Sequence, residues 1–84
     1  MTPEELLRRY PRETLRWLRG RLGLSQRAFA YHVGVSPAAL GHWEIGRNGI
    51  APQYRARLVT LLAPHLATPE GEAFAQSLGR GELT

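Results

Sequence analysis

The sequence predicts an all-α domain of five or six short helices. Apolar residues recur at helical spacing along most of the chain, and Gly or Pro separates each periodic segment from the next. No segment shows the strict alternation of apolar and polar residues that is typical of a half-buried strand. Because 84 residues provide one small hydrophobic core at most, we expect a single domain over residues 1–84.

The predicted first helix has a strong start signal at the beginning of the chain. Thr2 is a favoured N-cap, Pro3 suits the first helical position, and Glu5 completes a capping box. Pro11 disfavours helical geometry at Tyr10, so we expect this helix to be short.

The predicted second helix runs from about Pro11 to Leu22, and Gly23 ends it in a left-handed turn. Its buried stripe consists of residues at spacing i, i+3 and i+7, namely Leu15, Leu18 and Leu22. Trp17 lies off this stripe. We expect it to pack against the first helix, on Leu6, Leu7 and Tyr10, and the alternative is a dimer contact.

Two short helices joined at a glycine follow. Ser25 caps a third helix over about residues 26–33, and Gly34 stops it. Ser36 caps a fourth helix over about residues 37–45, which has a proline at its first position.

The C-terminal half contains two further helix signals. After a loop over residues 46–49, Pro52 opens a fifth helix and Pro64 is expected to close it. The apolar face of the fifth helix consists of Tyr54, Leu58 and Leu61. A capped start at Thr68 predicts a short sixth helix in a C-terminal extension over residues 66–84. We expect Phe74 and Leu78 of this helix to pack against the fifth helix. The alternative is that these two residues form a dimer interface.

The net charge of +4 is distributed unevenly along the chain. Residues 8–57 hold ten arginines against two glutamates, a net charge of +8, whereas the two ends together carry −4. A basic middle suits a polyanionic partner, because each neutralised phosphate releases counterions. The alternative is an ordinary solvated surface rich in arginine. The same two interpretations stand for three arginines near the N-terminus, Arg8, Arg9 and Arg12.

Several classes of function find no support in the sequence. Cysteine is absent, which excludes disulfides and thiolate-metal sites, and no stretch approaches the roughly 20 apolar residues of a membrane span. His32, His42 and His65 lie on different predicted elements without a carboxylate at ligand spacing. We therefore expect no metal, no cofactor, no catalytic residue and no membrane or small-molecule partner. The start of the chain lacks the apolar core of a signal peptide, so a cytoplasmic location is expected.

The segment over residues 25–45 combines large and small side chains in an informative order. The inward-facing apolar residues are Phe29 and Val33 on the third helix, and Leu40 and Trp43 on the fourth. Gly34 tolerates a positive φ, which allows a sharp turn between the helices. Ala30 is placed where the helices cross most closely, so only a small side chain fits there. This pattern predicts two helices at a steep angle on a shared core.

The pattern resembles the lambda-repressor-like (Cro/C1, XRE-type) helix-turn-helix domains. The matching residues are Leu15-Arg16, Leu18-Arg19, Leu24-Ser25-Gln26, Phe29-Ala30, Gly34-Val35-Ser36, Leu40, Trp43-Glu44 and Gly46, with Leu58, Leu61 and Leu62 in the closing helix. The resemblance covers residues 12–63, and its motif core lies at residues 25–45. It implies a five-helix domain, here with a short extra helix at each terminus, that binds DNA.

The resemblance also implies which residues contact DNA. In this family the second helix of the motif enters the major groove, and its outward residues here are Ser36, Pro37, Ala38, Gly41 and His42. Gln26 starts the preceding helix and is placed for a phosphate or the groove edge, with Arg27 beside it. Arg47 and Asn48 resemble the family's phosphate contacts. Glu44 is structural in the family, and we expect it to bond within the fold.

The chain departs from the family pattern at the start of the recognition helix. Family members that read bases usually carry long polar side chains there, whereas residues 36–41 include no Arg, Gln or Asn. Ala38 or Ala39 can touch a thymine methyl, and arginines can read DNA shape. The same departure favours the alternative of a protein–protein interaction module that keeps the helix-turn-helix scaffold and has lost DNA binding.

The sequence therefore predicts a sequence-specific regulator of transcription that binds double-stranded DNA through residues 26–48. We expect a repressor of the phage, plasmid or antitoxin type, and not an enzyme. Because one short helix reads few base pairs, we also expect a homodimer.

Overall fold

The computed structural model describes residues 1–81, and this part of the chain contains six α-helices. They are α1 (Pro3–Arg9), α2 (Pro11–Leu22), α3 (Gln26–Val33), α4 (Pro37–Glu44), α5 (Pro52–Leu66) and α6 (Pro69–Arg80). Residues 1–81 contain no strand, so the prediction of an all-α fold with an extra helix at each end is confirmed. The last residues of the predicted C-terminal extension, 82–84, lie outside the described residues.

The first helices begin and end at the capping residues that the sequence indicates. The Thr2 hydroxyl accepts a hydrogen bond from the Glu5 amide at 3.1 Å, and Glu5 Oε1 accepts one from the Thr2 amide at 3.1 Å. Ser25 and Ser36 each accept from the amide three residues further on. Tyr10 leaves helical geometry with ψ of 58°, immediately before the proline that starts α2. The predicted capping box and caps are confirmed.

The fifth helix is longer than predicted. The prediction that Pro64 closes it is wrong, because α5 continues through Pro64 and ends at Leu66. A proline inside a helix removes the hydrogen bond to the carbonyl four residues earlier, here that of Thr60. Leu66 nevertheless packs against both core clusters, so tertiary packing stabilises the last turn. Leu58 and Leu62 are fully buried on this helix, whereas Tyr54 and Leu61 are half-buried.

One core cluster joins the first five helices. Its buried members are Leu7, Leu15, Leu18, Phe29, Ala30, Val33, Leu40, Trp43, Ile50, Leu58 and Leu62. Leu22, which the sequence places in the buried stripe of α2, is half-buried at the edge of this cluster. The inward faces predicted for α3 and α4 thus meet on the leucines of α2 and α5.

A second cluster attaches α6 to the N-terminal helices. Phe74 and Leu78 are buried against Leu6 of α1, with Leu66 of α5 packed beside them, so α6 folds onto both α1 and α5 and not onto the fifth helix alone. Trp17 contacts this cluster, and its ring stacks on Phe74 with centroids 4.5 Å apart and planes 6° from parallel. Tyr10 packs beside them as predicted, but the aromatic partner of Trp17 lies on α6 and not on α1.

Candidate nucleic-acid interface

Two short helices, α3 and α4, meet at a tight glycine turn. Gly34 has φ of 85°, the left-handed conformation that the sequence predicts there. Its amide donates to the Tyr31 carbonyl at 3.2 Å, and the Val35 amide donates to the Ala30 carbonyl at 3.0 Å, which is the Schellman arrangement. Ala30 is fully buried in the core that the two helices share. The turn therefore fixes the direction in which α4 leaves α3.

The face of α4 opposite the core is uncovered. Leu40 and Trp43 point into the core, whereas Pro37 and Ala38 are exposed, and Gly41 and His42 are half-buried. The exposed Ser36 accepts from the Ala39 amide at 3.1 Å, which leaves its hydroxyl proton free to donate. The helix itself ends at Glu44, with Ile45 as its C-cap, one residue before the predicted end.

The loop after α4 folds back onto the end of the helix. The His42 carbonyl accepts from the Arg47 amide at 2.8 Å and from the Asn48 amide at 3.4 Å. The Asn48 side-chain nitrogen Nδ2 also lies 3.5 Å from His42 Nδ1. Arg47 and Asn48 are exposed. These bonds bring three residues of the predicted site together, since the backbone of Arg47 and Asn48 is bonded to His42 and the Asn48 side chain lies beside the His42 ring.

A buried carboxylate connects α4 to two preceding helices. Glu44 is 2% exposed and accepts from Arg19 Nε at 3.0 Å and from Arg19 Nη2 at 3.1 Å. Its Oε1 also accepts from Gln26 Nε2 at 3.0 Å. Glu44 bonds within the fold, as the resemblance implies. The side chain of Gln26 differs from expectation, because its amide is engaged by Glu44 and is not simply presented to a phosphate.

The contact between Gln26 and Glu44 is a feature that sequence reasoning missed. A charged residue among the apolar residues at the end of a short helix indicates that buried polar partners exist. Their identity depends on the crossing of α2, α3 and α4, which brings together residues 18 and 25 positions apart.

The start of α3 carries hydrogen-bond donors next to this carboxylate. The residues four positions before the first amides of a helix lie outside that helix, so the amides of Gln26 and Arg27 lack an intrahelical acceptor. Ser25 accepts only from the Ala28 amide, at 3.1 Å. Arg27 is exposed beside them. The start of α3, through Gln26, and the loop that contains Arg47, through the His42 carbonyl, both contact the last turn of α4.

A metal site or a membrane span in residues 1–81 would require clustered ligands or a long apolar helix. That part of the chain contains no group of three or more His, Cys, Asp or Glu residues arranged to hold a metal ion. None of the helices described in it combines the length and the apolar character needed to cross a membrane.

The chain matches a known protein family. The sequence profile of a family described as a helix-turn-helix domain matches residues 12–76. The matched segment begins at the second residue of α2, includes α3 to α5 entirely and continues into α6. No curated protein and no solved structure matches the chain significantly.

Proposed function

Since the chain belongs to the helix-turn-helix domain family, we propose that it binds double-stranded DNA with α4 in the major groove and regulates transcription. The observation that carries this proposal is the uncovered face of α4 with Arg47 and Asn48 held at its end by the His42 carbonyl. The net charge of +8 over residues 8–57 supports it, because a duplex attracts a basic surface.

The proposed contacts fall into two groups. Arg27, Arg47 and Asn48 bind backbone phosphates and set the orientation of the domain. Residues of the α4 face approach the base edges: Ser36, Pro37, Ala38, Gly41 and His42. Gln26 contributes its backbone amide to a phosphate, while its side chain positions Glu44 and the end of α4.

The small side chains of α4 determine the kind of sequence preference that we propose. Ala38 offers only a methyl group, which contacts a thymine methyl but donates no hydrogen bond. Ser36 and His42 each supply one donor. With no bidentate contact to guanine or adenine from this helix, DNA shape and deformability contribute much of the discrimination between sites.

The regulator is proposed to be a cytoplasmic repressor of the phage, plasmid or antitoxin type that acts as a homodimer. A two-fold dimer places its recognition helices about 34 Å apart, so two weakly discriminating helices read two half-sites together.

A second candidate function is a protein-interaction module on the same scaffold. The observation that favours it is the face of α4, where Pro37 and Ala38 are the most exposed positions and neither has a polar side chain. This alternative predicts no affinity for duplex DNA and no role for Arg27 or Arg47 in partner binding.

The deciding experiment is fluorescence anisotropy with a labelled random-sequence duplex at about 50 and 200 mM salt. The wild type is compared with Arg27→Ala, Arg47→Ala and a control, Arg55→Ala. Arg55 is exposed and lines a groove between α1 and α5, away from the proposed interface.

The proposal expects tight binding that weakens steeply with salt, because each phosphate contact contributes about −0.9 to the slope of log K against log salt concentration. The two interface variants lose affinity and the control does not. A wild type that fails to bind at the lower salt concentration overturns the proposal and directs attention to the protein partner.

A further inference from the structure

An arginine of α2 lies across the loop that follows α4. Gly46 has φ of 77°, and any Cβ at this position would lie 2.7 Å from Arg12 Cδ and 3.3 Å from Arg12 Nε. The Arg12 side chain therefore occupies the space directly over Gly46, next in sequence to Arg47. The left-handed backbone favours glycine here, and a larger residue would also displace the Arg12 side chain.

The guanidinium of Arg12 has no partner of its own within residues 1–81. Arg12 is exposed, and its side chain forms no hydrogen bond, ion pair or ring contact in this part of the chain. Other arginines do have structural partners, since Arg19 pairs with Glu44 and Arg57 donates to the His32 carbonyl at 3.0 Å. The apolar part of the Arg12 side chain covers Gly46, but its guanidinium makes no polar contact within residues 1–81 that would stabilise the fold.

The surroundings of Arg12 also do not stabilise its charge. It stands in the first turn of α2, where the helix dipole gives a positive potential that disfavours a cation. Its stem lies on the residue adjacent to Arg47, a second exposed cation without an acidic partner in residues 1–81. Two exposed guanidinium groups on adjoining segments, neither of them ion-paired within residues 1–81, form an arrangement that an anion stabilises, and phosphate matches their planar donor pattern.

We infer that Arg12 belongs to the DNA interface and binds a backbone phosphate together with Arg47. The inference rests on the proposed function and extends the interface from the helix-turn-helix onto α2. The Arg12 side chain packs on Gly46, and this contact orients the guanidinium in the free protein, before DNA binds.

The test compares variants that separate the charge of Arg12 from its packing. Arg12→Met keeps an unbranched apolar stem over Gly46 and removes the charge, whereas Arg12→Lys keeps the charge. Arg55→Met removes an exposed charge from the α1–α5 groove and serves as the matched control. The affinity of each variant for the random-sequence duplex is measured across a series of salt concentrations.

The inference expects the salt slope of Arg12→Met to become shallower by about 0.9, the contribution of one lost phosphate contact. Arg12→Lys and Arg55→Met retain the wild-type slope. If Arg12→Met keeps the full slope while Arg47→Ala loses part of it, Arg12 lies outside the interface and the proposed function still stands. If the wild type itself does not bind, the proposed function fails.

A second measurement on the unmodified protein guards against a folding defect in the variant. Phenylglyoxal modifies accessible arginine guanidinium groups, and peptide mass spectrometry reports the modification at each position. Saturating duplex DNA is expected to protect Arg12 and Arg47 and to leave Arg55 reactive. Equal modification of Arg12 with and without DNA would overturn the inference.

Discussion

The carboxylate of Glu44 lies in the fork of the Arg19 guanidinium, with Oε2 3.0 Å from Nε and Oε1 3.1 Å from Nη2. The Glu44 side chain is 2% exposed and that of Arg19 is 27% exposed, so the pair is largely removed from water. Because Arg19 stands on α2 and Glu44 in the last turn of α4, the pair fixes the end of the proposed recognition helix to the rest of the domain.

The two partners of this pair should not be equally sensitive to substitution. Arg19→Met leaves a buried carboxylate with only the Gln26 amide as a donor, and we expect a loss of about 3 kcal/mol in the free energy of unfolding. Glu44→Gln leaves the charge on Arg19, which already reaches solvent, so we expect the smaller loss of about 1 to 2 kcal/mol. Urea denaturation measures both.

The control for these variants is Arg16→Met, at an exposed position of α2 three residues before Arg19. Its stability should stay within about 0.5 kcal/mol of the wild type. Equal losses for Arg19→Met and Glu44→Gln would contradict the assignment of Glu44 as the more deeply buried partner.

Gln26 is expected to contribute to stability in the absence of DNA. Its side-chain amide donates to Glu44 Oε1 at 3.0 Å, and a hydrogen bond to a charged group contributes about 1.5 to 3 kcal/mol, less where solvent can replace it. Gln26→Ala should therefore lower the free energy of unfolding by about 1 kcal/mol. Gln53→Ala, at an exposed position in the first turn of α5, is the matched control. A residue that served only as a DNA contact would leave the stability of the free protein unchanged.

The capping box of α1 predicts a dependence of stability on pH. Hydrogen bonding to the Thr2 backbone, with help from the Thr2 side chain, lowers the pKa of Glu5 below its usual value of 4.5. A lowered pKa in the folded state stabilises the fold above the unfolded-state value, and this contribution is lost as pH falls through the folded-state value.

The measurement compares thermal melting of the wild type and Glu5→Gln from pH 6 downwards. Glutamine preserves the capping box without titrating, and both proteins contain the same other carboxylates. The wild type should therefore lose stability relative to Glu5→Gln progressively in the acid range, as pH falls from near the usual pKa of 4.5 through the lowered pKa of the folded state. Parallel curves throughout the range would show that the carboxylate of Glu5 does not contribute through its charge.

The accuracy of the sequence-based predictions depends on the range of the interactions involved. Helix starts such as Thr2, Ser25 and Ser36 were predictable because a cap acts over three residues. The prediction that Pro64 ends α5 is wrong because the packing of Leu66 outweighs the local preference of proline against a helix interior. The outward face of α4 follows from helical periodicity alone.

Contacts between distant parts of the chain were beyond sequence reasoning. The stacking of Trp17 on Phe74 requires that α6 return to the N-terminal helices, which no local pattern specifies. Arg12 was recognised only as part of a basic segment, because its position over Gly46 depends on the angle between α2 and α4. The candidate site therefore gains members from tertiary structure that the motif does not contain.

The attachment of α6 gives a final prediction, which concerns two glycines of the same helix. Gly71 is buried, and a Cβ there would collide with the His65 carbonyl and the backbone of Leu66, whereas a Cβ at Gly79 would meet nothing within 4 Å. Gly79→Ala should stabilise the protein by up to about 1 kcal/mol, because alanine favours helical backbone. Gly71→Ala makes the same change in helix propensity but forces α6 away from α5. Since backbone atoms cannot rotate aside, we expect a net loss of about 1 to 3 kcal/mol in the free energy of unfolding.

Thermal denaturation gives the sign of each change, and NMR shifts of the Trp17 ring report whether it still stacks on Phe74. Stabilisation by both substitutions, with unchanged Trp17 shifts, would show that α6 does not pack on α5 through Gly71.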